Sequence, residues 1–320
     1  MLTRFGLGGV AALPLAALMA ISPASAQESL ILGTSSPGGS YFLMGGALST
    51  AVNENLDGID ATARTTGGSV ENMRLIGTGQ INMGMANAAA VYNGVNATGP
   101  FEGQPAAEGV RGVATLAIAP LHWVVLADSG IETFADLAGK RVSVGKAGSG
   151  TAANAELSLE LMGLLGDIDA QFLGFDESAD SMRDGNTDAF AASSSIPMPA
   201  VANIATTRDV HLLSYSDAQI AQLLEANPAY QPYTIPAGSY DGVDTDTLTF
   251  GVPSTLIVNA DVPEQVVYDV VMMMYSDDFK EYMRAAYKSF EPSPASGLFE
   301  TIGVPLHPGA EKAYAELGLL

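Results

Sequence analysis

Short apolar runs alternate along the chain with segments in which apolar residues recur every three or four positions. The run 29–34 has the pattern of a buried strand, and Phe42, Leu43, Ala47 and Leu48 follow it at helical spacing. The first half continues this alternation through Ser29–Thr34, Tyr41–Asn55, Ile59–Thr65, Val70–Ile76 and Met83–Ala86. Strand and helix patterns that alternate predict an α/β fold of mostly parallel sheets flanked by helices.

Two longer β-rich runs, Val113–Leu126 and Thr247–Asn259, each contain a proline. We expect them to pair and to pass between two lobes as hinge strands. The predicted division is a signal segment at 1–26, a first lobe of 27–118 plus 255–320, and a second lobe of 119–254. The chain is long enough for two domains of ordinary size.

Three glycine-rich loops lie between an apolar run and a helical pattern. They are Thr34–Tyr41, Thr65–Ser69 and the loop that ends at Thr151 in the run from Val142. Ser40 and Ser69 are predicted N-caps of the helices that follow. The unpaired N–H groups at a helix N-terminus attract anions. Three such loops in two separate stretches therefore predict one anion held between two lobes.

A weak internal repeat supports two similar halves. Ser69 to Asn82 contains a Met-Arg pair and a glycine before the apolar run 83–86, and Ser178 to Asp188 has the same order before 189–192. Helix, glycine and strand also follow one another in many unrelated α/β proteins, so this pattern alone leaves both interpretations open.

The N-terminus and the charge limit where the protein works. Residues 1–26 contain Arg4, an apolar stretch and Ala24-Ser25-Ala26, which predicts a cleaved secretory signal and a periplasmic protein with no membrane insertion after cleavage. The formal net charge is −22, which argues against binding to nucleic acid or to anionic membranes. The chain contains no cysteine, so disulfides and metal–thiolate sites are excluded.

No catalytic or metal motif is present. His122, His211 and His307 share no metal-ligand spacing, and neither H-E-x-x-H nor G-x-S-x-G occurs. Lys146 precedes the glycines of its loop, so the Gly-Lys-Ser/Thr ending of a phosphate loop is missing. We therefore expect no enzyme activity, no metal and no cofactor, and a chain that is a monomer.

Several of these stretches resemble the TAXI family, the solute-binding proteins of tripartite ATP-independent periplasmic (TRAP) transporters. The resemblance rests on Thr34–Tyr41, Thr66–Asn72, Phe134–Gly145, Gly148–Thr151 and Tyr240-Asp-Gly242, and it covers most of the chain in the same order. It implies a two-lobed periplasmic binding protein fold of type II-like form. The ligand it implies is a small organic acid, such as glutamate or 2-oxoglutarate, which would be passed to TRAP membrane subunits for sodium-driven uptake.

The predicted substrate-binding residues come from the glycine loops and the strand ends beside them. Tyr41 and Asn72 are expected to face the ligand, and Arg64 or Lys146 to neutralise a second acid group. The alternative for these two cations is an exposed position without a ligand. The full predicted set is Ser36, Gly38, Gly39, Ser40, Tyr41, Arg64, Thr66, Gly68, Ser69, Asn72, Asn87, Lys146, Gly148, Ser149, Gly150, Thr151 and Ser194.

A second function uses the same clamp. A sensory binding protein would present its ligand to a membrane histidine kinase and would need no transporter. The sequence does not distinguish this role from transport.

Overall fold

The computed structural model of the protein describes residues 27–287, 290–294 and 296–320. The predicted signal segment lies outside these residues. No helix in the described ranges is both long and apolar enough to cross a membrane.

Lobe 1 is built around three parallel strands, with β1 between β2 and β3. Its first elements are β1 (Glu28–Gly33), α1 (Ser40–Asn55), β2 (Ile59–Arg64), α2 (Ser69–Gly77), β3 (Met83–Asn87) and α3 (Ala88–Asn96). The sequence prediction missed α3, whose start coincides with a run of three alanines. The lobe is completed by C-terminal helices α8 (Glu264–Tyr275), α9 (Asp277–Ala286), α10 (Ser296–Thr301) and α11 (Pro308–Glu316).

Lobe 2 repeats the arrangement around β5, which pairs in parallel with β6 and β7. Its elements are β5 (Arg141–Ser143), α4 (Gly150–Leu161), β6 (Asp169–Gln171), α5 (Phe175–Arg183), β7 (Ala189–Ser193), α6 (Pro199–Ala205), β8 (Val210–Leu212), α7 (Asp217–Ala226) and β9 (Gln231–Ile235). Before β5, the chain forms a short 3₁₀ turn, Phe134–Leu137.

Two long strands, β4 (Val110–Leu126) and β10 (Thr247–Asn259), join the lobes. They are antiparallel neighbours, with Val252 opposite Ala119, as the hinge prediction requires. β10 also pairs with β3, and β4 with β7, so the strands form one curled path in the order β2-β1-β3-β10-β4-β7-β5-β6. The α/β fold class is confirmed, with the refinement that the hinge strands join the two parallel sets into a continuous sheet.

The internal repeat has a structural counterpart after α2 in lobe 1 and after α5 in lobe 2. After α2, Asn82 Oδ1 accepts a hydrogen bond from the N–H of Ile31 at 2.9 Å. After α5, Asp188 Oδ2 accepts one from the N–H of Arg141, also at 2.9 Å. In each lobe a polar side chain before the third parallel strand therefore anchors the first strand, which confirms that the halves are built alike.

A buried histidine lies where β4 enters lobe 2. Nδ1 of His122 is 3.1 Å from the carbonyl oxygens of Pro120 and Ala192, and Nε2 is 2.9 Å from the hydroxyl of Tyr240. That hydroxyl accepts a hydrogen bond from the N–H of Met198. The partners fit a neutral ring that donates from Nδ1 and accepts at Nε2. Burial lowers the pKa of His122 to about 4.

Candidate functional site

A cavity of about 30 Å³ lies between the lobes, at the ends of their parallel strands. Ligands of open α/β sheets bind at this edge. The cavity is lined by Ser35, Ser40, Tyr41, Gly67, Gly68, Ser69, Asn87, Ala119, Ser149, Gly150, Thr151, Phe175 and Ser193. Eight of these residues are in the predicted set: Ser40, Tyr41, Gly68, Ser69, Asn87, Ser149, Gly150 and Thr151.

The first wall is the start of α1. The helix begins at Ser40 with Gly39 as its N-cap, so the prediction that Ser40 is the cap was one residue late. The next residue, Tyr41, is buried and its hydroxyl donates to Ser254 Oγ of β10 at 3.1 Å. Burial raises the pKa of Tyr41 far above its ordinary value, so the hydroxyl keeps its proton.

The second wall is the pair of helix starts at α2 and α3. Gly68, rather than Ser69, is the N-cap of α2. Ser69 Oγ instead accepts a hydrogen bond from the N–H of Asn87 at 3.0 Å, which ties α2 to the end of β3. Asn87 in turn caps α3, because its Oδ1 accepts from the N–H of Ala90 at 2.8 Å. The two side chains are therefore fixed in position.

Lobe 2 supplies the third wall. Ser149 is the N-cap of α4, and its Oγ accepts from the N–H of Ala152 at 2.9 Å. Thr151 Oγ1 accepts from the N–H of Ser193, at the end of β7, at 3.3 Å. As in lobe 1, hydroxyls at a helix start satisfy nearby backbone N–H groups and face the cleft.

The two lobes touch around the cavity. The N–H of Glu71, in the first turn of α2, donates to the carbonyl of Gly148 in lobe 2 at 2.9 Å. A Cβ atom on Gly150 would lie 2.2 Å from Asn87 Nδ2 and 2.7 Å from Ser69 Oγ, and one on Gly39 would lie 2.7 Å from the ring of Phe175. Glycine at these positions lets the lobes approach closely. The structure is therefore a closed clamp.

The other predicted residues lie outside the lining. Asn72 is fully buried: its Nδ2 donates to the carbonyls of Thr34 and Met85, and its Oδ1 accepts from Thr66 Oγ1. Asn72 and Thr66 therefore hold the ends of β1 and β3 together and do not face the cavity. Arg64 and Lys146 are both exposed at the surface. Ser36, Gly38, Gly39, Gly148 and Ser194 belong to the same loops but are not lining residues.

Five lining residues were not predicted. Ser35 and Gly67 are immediate neighbours of predicted residues, and Ser193 precedes Ser194. Phe175 begins α5, the counterpart of α2 in the internal repeat, so the repeat could have indicated it. Ala119 lies on a hinge strand and carried no sequence signal.

A larger groove of about 640 Å³ lies nearby, between β4 and the residues Glu291, Ser293, Pro294, Gly297 and Leu298. It includes Ile118, Ser195 and Tyr233 but none of the helix N-termini that line the smaller cavity. Tyr287 lies close to Ser40 of lobe 1 and Ser195 of lobe 2, and burial raises the pKa of its hydroxyl. The smaller cavity is the candidate site because the capped helix starts of both lobes meet there.

Solved structures share this fold at low sequence identity. The alkanesulfonate-binding protein SsuA from Xanthomonas axonopodis pv. citri bound to MOPS is 15% identical, with a TM-score of 0.50 over 90% of this chain and 83% of SsuA. The periplasmic binding protein BugD is 12% identical, with a TM-score of 0.56 over 92% and 98% of the two chains. A putative L-cystine ABC transporter from Listeria monocytogenes is 14% identical, with a TM-score of 0.51 over 82% and 98%. These similarities establish the two-lobed binding-protein fold.

The amino-acid sequence also matches a protein family. The resemblance to the TAXI family is narrower than this match and stays a prediction. Residues 32–318 match the NMT1-like family, so the chain belongs to that family.

Proposed function

We propose that the protein is a periplasmic solute-binding receptor that closes its two lobes around a small organic acid and presents it to a membrane transporter. The observation that carries this proposal is the cavity at the lobe interface, walled by the starts of α1, α2 and α3 from one lobe and of α4 from the other. A ligand that contacts both walls stabilises the closed clamp, since only the closed state makes both sets of contacts.

A receptor fits the cavity better than an enzyme does. Its lining contains hydroxyls, one amide, glycines and aromatic rings, but no Asp, Glu, Lys, His or Cys. The described residues also contain no group of His, Asp and Glu that could hold a metal ion. General acid–base, thiol and metal chemistry would therefore need groups from outside this lining.

The transporter we propose is of the TRAP type. The support is the resemblance of the glycine loops to the TAXI family, in which the membrane subunits use a sodium gradient. A binding protein of this fold can also serve a transporter that hydrolyses ATP, as the similarity to the putative L-cystine ABC transporter from Listeria monocytogenes indicates.

Two measurements test the proposal. A thermal-shift screen of organic acids against the purified protein should find acids that raise its melting temperature, and the bound acid should be recovered unchanged. In proteoliposomes that contain the cognate membrane subunits, the protein should support uptake of that acid when a sodium gradient is applied and without ATP. Uptake that requires ATP would reject the TRAP assignment, and conversion of the acid to a product would reject the receptor.

A further inference from the structure

The cavity has an unusual balance of charge and hydrogen-bonding groups. None of its lining side chains carries a charge. The charged side chains closest to its rim are acidic: Glu71 accepts from the N–H of Gly67 at 2.6 Å, and Asp176 lies against Gly38. The two cations closest in sequence, Arg64 and Lys146, are exposed. A bound ligand therefore meets no side-chain cation in the lining.

Four side-chain oxygens of the lining are already engaged as hydrogen-bond acceptors. Ser69 Oγ, Asn87 Oδ1, Ser149 Oγ and Thr151 Oγ1 each accept from a backbone N–H of the protein. A hydroxyl that accepts such a bond keeps its own proton to donate, and an amide keeps its NH₂ group. These four side chains therefore present mainly donors to the cavity.

Asn87 is the clearest of these donors. Its side chain is buried, with the residue only 3% exposed, and capping of α3 fixes Oδ1. Nδ2 therefore turns toward Gly150 across the cleft, where it makes no hydrogen bond to any described residue. Because Asn87 lines the cavity, this free N–H is available to donate to an acceptor on the ligand, and a ligand that closes the cavity without offering one would leave it unpaired at a cost.

Donors together with helix N-termini stabilise a single negative charge. A second carboxylate would lose its hydration without gaining a cation, and an ammonium group would find no carboxylate in the lining to pair with. The volume of about 30 Å³ is also small, since about 10–15 Å³ holds one water molecule. This is room for one head group.

We infer that the site selects small acids with one negative charge and no amino group, and rejects dicarboxylates and amino acids. This inference rests on the proposed function, because it assumes that the ligand is an acid bound in this cavity. It differs from the glutamate or 2-oxoglutarate that the family resemblance implies.

The test is a calorimetric titration of the purified protein at pH 7 with two matched sets of small acids. Butyrate, 2-hydroxybutyrate and 2-oxobutyrate carry one charge, whereas succinate, 2-oxoglutarate and glutamate carry a second acid group or an amine. The best monoacid should bind at least about tenfold more tightly than any member of the second set. If succinate, 2-oxoglutarate or glutamate binds as tightly or more tightly, the inference is wrong and the receptor proposal survives. If none of the six binds, both are rejected.

A pair of variants tests the placement. In Asn87→Asp, the Oδ1 cap of α3 is retained, but the donor is replaced by a negative charge. The affinity for the best monoacid should fall at least about 100-fold with little change in the urea midpoint. Asn96→Asp makes the same change at an exposed position of the same helix and should bind as the wild type does. Wild-type affinity in Asn87→Asp would overturn the inference.

Discussion

The close contact at Gly150 predicts a variant that holds the clamp open. Gly150 is the first residue of α4 and has no positive φ, so alanine fits the backbone of its own helix. In the closed structure, however, the new Cβ would lie 2.2 Å from Asn87 Nδ2 and 2.7 Å from Ser69 Oγ. Both side chains belong to the opposite lobe, and each is held in place because its oxygen accepts a hydrogen bond from a backbone N–H group. Gly150→Ala therefore disturbs closure rather than folding.

The size of the effect follows from the overlap. An ordinary contact needs about 3.5 Å between heavy atoms, so the lobes must separate by about 1 Å at this point. Overpacking of a tight interior costs about 1–3 kcal/mol, which corresponds to an affinity about 5- to 150-fold weaker. Calorimetry measures the affinity, and small-angle scattering with saturating ligand should show a larger radius of gyration than for the wild type.

Gly46→Ala is the matched control. Gly46 lies inside α1, and a Cβ there would meet nothing within 4 Å. The substitution should leave the affinity unchanged and stabilise the helix by about 0.5–1 kcal/mol. If Gly150→Ala binds and closes as the wild type does, the lobes do not meet at this residue in the bound state, and the closed arrangement described above is refuted.

Three further outcomes are expected. Asn72→Ala removes a fully buried amide that donates to the carbonyls of Thr34 and Met85 and accepts from Thr66 Oγ1, so unfolding in urea should show a loss of about 2–4 kcal/mol; a loss below about 1 kcal/mol would contradict this structural role. Since the folded pKa of His122 is about 4 and its ordinary value is 6.5, protonation favours the unfolded chain, and stability should fall by about 3 kcal/mol as the pH drops through that window. Titration of His122 near pH 6.5 by NMR would contradict it. Arg64→Ala and Lys146→Ala should each bind the acid with wild-type affinity, because both side chains are exposed and outside the lining; a tenfold loss in either would place a cation in the site.

The sequence predicted the fold and the general position of the site because both depend on local pattern. The glycine loops, small polar residues and following apolar periodicity placed the starts of α1, α2 and α4, and seven lining residues came from these stretches. The eighth predicted lining residue, Asn87, came from the end of β3. Hinge pairing followed from the length and β-rich composition of two runs. The predicted N-caps of α1 and α2 were wrong by one residue, because the glycine before each serine is the N-cap.

The sequence could not predict features that depend on where a side chain points in the folded protein. Asn72 lies one helical turn from the cavity, but its amide turns inward to bond the ends of two strands. Ala119 reaches the site from the hinge strand β4, where no local pattern marks it. Trp123 lies on the hinge strand β4 but is buried in lobe 2, where its Nε1 donates to the hydroxyl of Tyr215 at 2.6 Å.

Recovery of the bound acid tests the central claim most directly. Protein purified from the cells that naturally produce it is denatured, and mass spectrometry identifies and counts the small acids that are released. A titration of the refolded protein with the same acids is the second measurement. We predict about one equivalent of an unmodified small acid per chain from the wild type and from Gly46→Ala, and much less from Gly150→Ala. Equal recovery from all three proteins, or no acid released and none bound on titration, would contradict a receptor that closes on its ligand between these two lobes.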